Sequence, residues 1–290
     1  MPTATATDPR AIARDAIKSV TALATLPEVT AQIISMVEDP RSSAGKLHKI
    51  IAHDPSLSSR ILKVINSAFY GMSGQVGSVE RAIVLLGLNA VKNLAVSASL
   101  GQLFRGVKLG EGFTAKDLWT HCIAVGVTAR QLAISLKMPN ADEAFVAGLI
   151  HDAGVLVELQ IWPEKLQDIC RISKTSGADF CETERKLLNV DHTTLGQVLA
   201  EQWHFPMYCQ QAAEFHHNPA GLIEGDQTMV RLVYVADTLC CQCGPGFNLT
   251  AAGQQLDPTV LSGLGLENAD IENLKNGMAE NIQNAMAVFA

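Results

Sequence analysis

Seven side chains, His121, His151, Asp152, His192, His216, His217 and Asp237, are of the types that do chemistry together. A mixed set of imidazoles and carboxylates suits iron, manganese, nickel or zinc better than calcium, which favours oxygen ligands throughout. Inward-facing residues on several helices are how a helical bundle builds such a site. His121 falls inside one helical segment and His151 inside the next, so a short turn would set them side by side, while Asp237 arrives from a later helix. Adjacent residues on a helix diverge by about 100°, so His216 and His217 would not both address one centre without distortion. Two ions would use both, whereas with one ion one of the pair would support the ligands from behind or lie at the surface. In a catalytic centre of this kind a bound ion lowers the pKa of a water, and Asp152 would bridge ions or orient that water. The competing reading is a buried hydrogen-bonded set that only ties helices together. His48, His53 and His204 stand outside the pattern and read as ordinary histidines on or near helix faces.

The elements that must position these groups read as helices almost throughout. Thr25, with Pro27 and Glu28 after it, forms a capping box that opens a helix VTAQIISMVED, on which Val29, Ile33, Met36 and Val37 share a stripe. Asp54 and Pro55 open a second helix with an apolar face from Leu57 to Ile65; Ser78 caps VERAIVLLG, Gly87 ends it, and Asn89 starts another. Asn66 and Gly71 suit a helix end and the turn after it. Further helices are expected over 114–138, 140–162, 163–173, 180–189, 191–203, 206–217, 227–243 and 271–289. RLVYVAD has strand-like composition but helical flanks, and no strand pair with a tight hairpin signal is evident. The expected organisation is a lead-in helix (1–20), an N-terminal helical lobe (21–110), a second helical lobe (111–245) and a C-terminal helical extension (246–290), with the lobe boundary in the Gly-containing segment 106–113. The 290 residues, 48% apolar, suffice for one large domain or two packed lobes.

Seven cysteines are scattered along presumptive core faces, which argues for reduced thiols rather than a disulfide framework; the Cys240, Cys241, Cys243 cluster lacks a second pair and reads as structural. Trp119, Trp162 and Trp203 lie beside apolar faces and are expected in the core or at its edge. A net charge of −7 without a basic stripe disfavours nucleic acid as a partner. The apolar runs are interrupted short of a membrane span and the first residues lack a signal core, so a cytoplasmic protein is expected.

LPEVTAQIISMVEDP, IIAHDPSLSSRILKVINSAFYG and VERAIVLLGLNAVKNL, followed by THCIAVG, AGLIHDAG, VDHTTLGQVLAEQWHFP, EFHHNP and YVADTLC, resemble the signature blocks of the HDOD family in their usual order, over roughly residues 20–245. The resemblance implies an all-α fold, an N-terminal lobe packed on an HD-like bundle. It implies that His121, His151, Asp152 and Asp237 match the ligands of a one-metal HD site, and that His192, His216 and His217 match the added histidines of two-metal relatives. It further implies a noncatalytic regulatory module in bacterial signal transduction of the response-regulator kind, acting in trans on a signalling protein partner and open to a nucleotide-like small ligand. The alternative is a metal-dependent phosphohydrolase, in which Asp152 would be catalytic. Two departures bear on that alternative. Val155 stands where catalytic relatives carry a lysine, and His216-His217-Asn218-Pro219 does not continue into the glycine-tyrosine-proline motif of cyclic-di-GMP phosphodiesterases.

Overall fold

The computed structural model describes residues 8–19, 26, 28–36, 39, 41–72, 74–104 and 108–289. The first lobe contains α2 (Glu28–Ser35), α3 (Ala44–Ala52), α4 (Pro55–Ile65), α5 (Val79–Leu86) and α6 (Leu88–Leu100), preceded by α1 (Pro9–Ser19). A hairpin of β1 (Lys108–Gly110) and β2 (Phe113–Thr114) leads into the second lobe. There α7 (Ala115–Ser135), α8 (Ala141–Ile150), α9 (Ala153–Ile161), α10 (Pro163–Ser176), α11 (Phe180–Leu188), α12 (His192–Gln202), α13 (Met207–Phe215) and α14 (Thr228–Cys243) form the bundle. The chain closes with α15 (Pro258–Leu264) and α16 (Asn268–Phe289). The fold is therefore all-α, an N-terminal helical lobe packed on an HD-like bundle, and one apolar core runs from Ala13 to Phe289 through both lobes.

Local chemistry explains most helix starts. Asp54 Oδ1 accepts from Leu57 N at 2.9 Å, Ser78 Oγ from Arg81 N at 3.2 Å, and Thr114 with Asp117 forms a reciprocal capping box. Asn66 ends α4 and clamps the following loop, accepting from Val76 N and donating to Val76 O. Ile33 and Met36 of the α2 stripe are buried; Thr25, Pro27 and Val37 lie outside the described residues. The second-lobe segment RLVYVAD is helical, within α14.

Four features depart from the sequence expectation. The boundary segment folds as the antiparallel hairpin, pairing Lys108 with Thr114 and Gly110 with Phe113; residues 106 and 107 lie outside the described residues. Helices α3, capped by Ser43, and α15, capped by Asp257, were not anticipated, because each has only one or two buried apolar residues to signal its face. The expected helix over 140–162 is two helices, broken at His151 and Asp152. Within it Ala141–Ile161, with a mean hydropathy of 1.5, is apolar enough to pass for a membrane span, but 89% of its 18-residue apolar window is buried inside the bundle. α16 binds the lobes together, packing on α7 and α4, while α1 packs on α12 and α9 of the second lobe. Trp119 and Trp203 are core residues and Trp162 sits at its edge; Trp119 Nε1 donates to the Phe289 carbonyl at 2.9 Å.

Candidate metal centre

All seven nominated side chains meet in the second lobe. His121 comes from α7, His151 and Asp152 from the break between α8 and α9, His192 from the first residue of α12, His216 and His217 from the end of α13, and Asp237 from α14. Six are fully buried, and only the His217 side chain, 14% exposed, meets the outside. His48, which pairs with Glu80 at 2.7 Å, and the exposed His53 and His204 lie elsewhere.

Close backbone approach makes the convergence feasible. α7 lies along α8, and a Cβ at Gly148 would stand 2.6 Å from Gly126 Cα, so a larger residue there would push His121 and His151 apart. The break after Ile150 then lets two consecutive residues face one cavity, which a continuing helix would prevent. The same reason corrects the expectation for His216 and His217. α13 ends at Phe215, so the 100° rule no longer applies, and both rings enter the same cluster with centroids 4.1 Å apart.

Hydrogen bonds behind the rings decide which nitrogens face inward. His151 Nδ1 lies 2.7 Å from the Gly148 carbonyl, and His216 Nδ1 3.0 Å from the carbonyls of Ala212 and Ala213. His192 Nδ1 lies 2.8 Å from Glu184 Oε2, and His217 Nδ1 3.0 Å from Gln254 Oε1. These oxygens accept, so each Nδ1 carries a proton and each ring turns its Nε2 inward.

The inward atoms form two cups that share Asp152. In one, Asp152 Oδ1 lies 3.4 Å from both His192 Nε2 and His216 Nε2, and the Nε2 atoms of His192 and His217 are 3.1 Å apart. In the other, His121 Nε2 lies 3.1 Å from Asp237 Oδ1, and His151 Nε2 lies 3.4 Å from Asp152 Oδ2 and 3.7 Å from Asp237 Oδ1. The ligand atoms of Asp152, His192, His216 and His217 all lie within 4.8 Å of one another, as do those of His121, His151 and Asp237, a span close to twice a metal–nitrogen bond of about 2.1 Å. His151 Nε2, His216 Nε2, Asp152 Oδ1 and Asp237 Oδ2 are buried with no hydrogen-bond partner, as is His121 Nδ1. Polar atoms left without a partner are costly in a dry interior, and a cation shared among them relieves that cost. The residues present therefore fit a metal ion.

Electrostatics point the same way. Burial would raise both carboxyls, but His151 and His216 hold Asp152, and His121 and His151 hold Asp237, well below the usual carboxylate range. Burial pushes His151 down, yet Asp152 and Asp237 outweigh it and raise the ring to about 10. His217 is pushed down to about 3, first by burial and then by His216, and burial lowers His216 as well, leaving both neutral and able to ligate.

A supporting layer escaped the sequence reading. Glu184 orients His192, Thr250 Oγ1 donates to Asp152 Oδ2 at 3.1 Å, and Cys241 Sγ to Asp237 Oδ1 at 3.4 Å. Behind Glu184 lies the wholly buried Glu158, raised well above the usual range by burial and by Glu184. Cys241 aside, these residues belong to no motif with a spacing of its own; none of the seven cysteines is in a disulfide, and only Cys243 is exposed. Outside His217 opens a cleft of about 1100 Å³ lined by Phe113, Arg185, Phe215, Asn218 and the 248–254 loop.

The family model that matches this chain describes the HDOD domain and spans residues 23–219, about two thirds of the length. The chain belongs to the HDOD domain family. An HDOD domain protein of unknown function from Geobacter sulfurreducens is 21% identical, with a TM-score of 0.82, over 97% of this chain and 98% of that one. A Marinobacter aquaeolei VT8 structure, described as a candidate signal transduction protein, is 26% identical with a TM-score of 0.75, covering 97% of this chain and 66% of that one. An uncharacterized protein of Treponema pallidum is 26% identical over 67% of this chain, which spans only 37% of that relative. In this HDOD chain the matched stretch ends before Asp237, so one carboxylate of the site and the loop that carries Thr250 and Gln254 lie beyond it.

Proposed function

We propose that this HDOD chain is a regulatory signalling module whose second lobe holds two divalent transition ions, of iron, manganese, nickel or zinc, and binds a phosphate-bearing, nucleotide-like ligand beside them. The observation that carries this reading is the convergence of these inward Nε2 atoms with Asp152 and Asp237 in a buried cluster, where His151 Nε2, His216 Nε2, Asp152 Oδ1 and Asp237 Oδ2 have no hydrogen-bond partner. His121, His151 and Asp237 would hold one ion, and His192, His216 and His217 the other, with Asp152 offering one oxygen to each. When bound, such ions supply positive charge that attracts phosphate oxygens and acidifies water. The description of the Marinobacter relative supports a place in signal transduction. The first-lobe surface and α16, which joins both lobes, are where a separate partner protein would sense the state of the centre.

A second reading, a metal-dependent phosphohydrolase acting on a nucleotide or other small phosphate ester, is favoured by the complete ligand set and by the shared Asp152. Val155, fully buried, weighs against it, because it leaves that position without a cation for the phosphate. The cleft cations are already engaged, Arg185 with Asp191 and Lys174 with Glu111.

The test is elemental analysis of protein purified without chelator, followed by incubation of the loaded protein with nucleotides, cyclic dinucleotides and a generic phosphodiester. Two ions per chain, ligand binding and no turnover are expected. Metal-dependent turnover that vanishes in His151→Ala would replace the regulatory reading with the enzymatic one, and a chain that takes no metal under any supplement would refute both.

The raised His151 sets a pH dependence. Its folded-state value of about 10 exceeds the ordinary 6.5, so the stability gained from the charged ring is complete below about pH 6.5 and lost as pH rises toward 10. An ion must displace that proton. Metal affinity is therefore expected to climb about tenfold per pH unit between 6.5 and 8.5, with about one proton released, as read by calorimetry in buffers of different ionisation heat. A flat profile would contradict the assignment of His151 as a ligand.

A further inference from the structure

We infer that Gln254, on the loop between α14 and α15, is a positioning residue of the metal centre: it fixes the tautomer of His217 so that the second cup stays open to an ion. This rests on the two-ion reading above.

The direction of the Gln254 amide follows from its neighbours. Thr238 Oγ1 donates to the Tyr234 carbonyl at 2.7 Å, which leaves only its lone pairs for another partner. The Gln254 amide nitrogen therefore donates to Thr238, and its oxygen turns to His217 Nδ1 at 3.0 Å. The loop itself is held: Gln242 donates to the Gln254 carbonyl at 3.1 Å, and Tyr234 donates to the Gln255 carbonyl at 2.6 Å. Thr250, four residues earlier, donates to Asp152. One loop thus reaches both the shared carboxylate and the most exposed ligand of the cup.

The consequence concerns how the cup could otherwise satisfy itself. His192 Nδ1 is held against Glu184, and its Nε2 lies 3.1 Å from His217 Nε2. Were the His217 proton to move to Nε2, the two rings would form a hydrogen bond, and both lone pairs would be lost to a metal. The acceptor at Nδ1 prevents this. Asp237 Oδ2, 3.7 Å from that nitrogen, is too distant to take its place. His151 and His216 need no such side chain, because backbone carbonyls hold their protons; His217 lies past the helix end, where no carbonyl is in reach.

Gln254→Leu removes the acceptor at nearly constant volume, and Gln254→Glu keeps it, with the Thr238 hydroxyl turning from the Tyr234 carbonyl to donate to the second carboxylate oxygen. With Zn²⁺ as the probe, titration and elemental analysis of the full chain are expected to show two ions in the wild type and in Gln254→Glu. In Gln254→Leu the first ion should bind as before and the second about 10- to 100-fold more weakly. Nitrogen-15 spectra of the metal-free protein should show the His217 proton moving from Nδ1 to Nε2, which a merely structural loop would not cause. If Gln254→Leu does not fold, Thr238→Val tests the same claim, since it frees the amide to turn over and should weaken the same ion. Unchanged affinity for two ions in Gln254→Leu, or in Thr238→Val, overturns this inference alone. A wild type that binds no Zn²⁺ overturns the reading beneath it.

Discussion

Asp152→Asn is expected to empty both halves of the centre at once, lowering the affinity for each ion by at least about 100-fold, whereas Asp237→Asn should weaken only the ion held with His121 and His151. Asp152 is the one ligand with an oxygen in each cup, Oδ1 at 3.4 Å from the Nε2 atoms of His192 and His216, Oδ2 at 3.4 Å from His151 Nε2. An amide keeps the shape but removes the charge, and it points an N–H at one set of lone pairs. Removing one member of a buried charge set costs about 3–5 kcal/mol, which corresponds to a hundredfold or more in binding. In the metal-free variant the largest upward influence on His151 is gone, so its titration should fall from about 10 toward the ordinary range. Metal analysis of the two variants, with the His151 titration followed by NMR, checks both statements; two tightly held ions in Asp152→Asn would refute the shared-carboxylate geometry.

Gly154→Ala is expected to be the most damaging single methyl group in the bundle. A Cβ at that position would stand 1.9 Å from the His192 carbonyl oxygen and 2.7 Å from Gly196 N. Both are backbone atoms of α12, so no side chain can turn aside, and α9 must separate from α12. Overpacking of this kind against rigid backbone costs at least about 3–4 kcal/mol, a large part of a domain's stability and roughly 10 °C in Tm. The separation would also draw Asp152, two residues away, from His192, so metal should be lost with stability. Gly45→Ala, in α3 with nothing within 4 Å of the new methyl, is the control and should be neutral or slightly stabilising. Equal melting temperatures for the two variants would show that α9 and α12 are not held by this contact.

The amino-acid sequence by itself determined the helical phases, most of the caps and the seven side chains of the centre. These depend on neighbours within about four residues: Asp54 on Leu57 N, Ser78 on Arg81 N, Thr114 and Asp117 on each other. Only the tertiary structure decided where helices stop for reasons other than their own composition. The run from Ala141 to Ile161 is predominantly apolar, with no proline or helix cap at His151 to end it. The break belongs to the contact of Gly154 with α12 and to a carboxylate shared with residues distant in the chain. The meeting of His216 with His217 likewise depends on α13 ending at Phe215, two residues before the end expected from the sequence. Glu184, Thr250 and Gln254 carried no legible signal, because a residue that orients a ligand needs only an oxygen at the right place. That place is set by packing between helices, not by spacing along one.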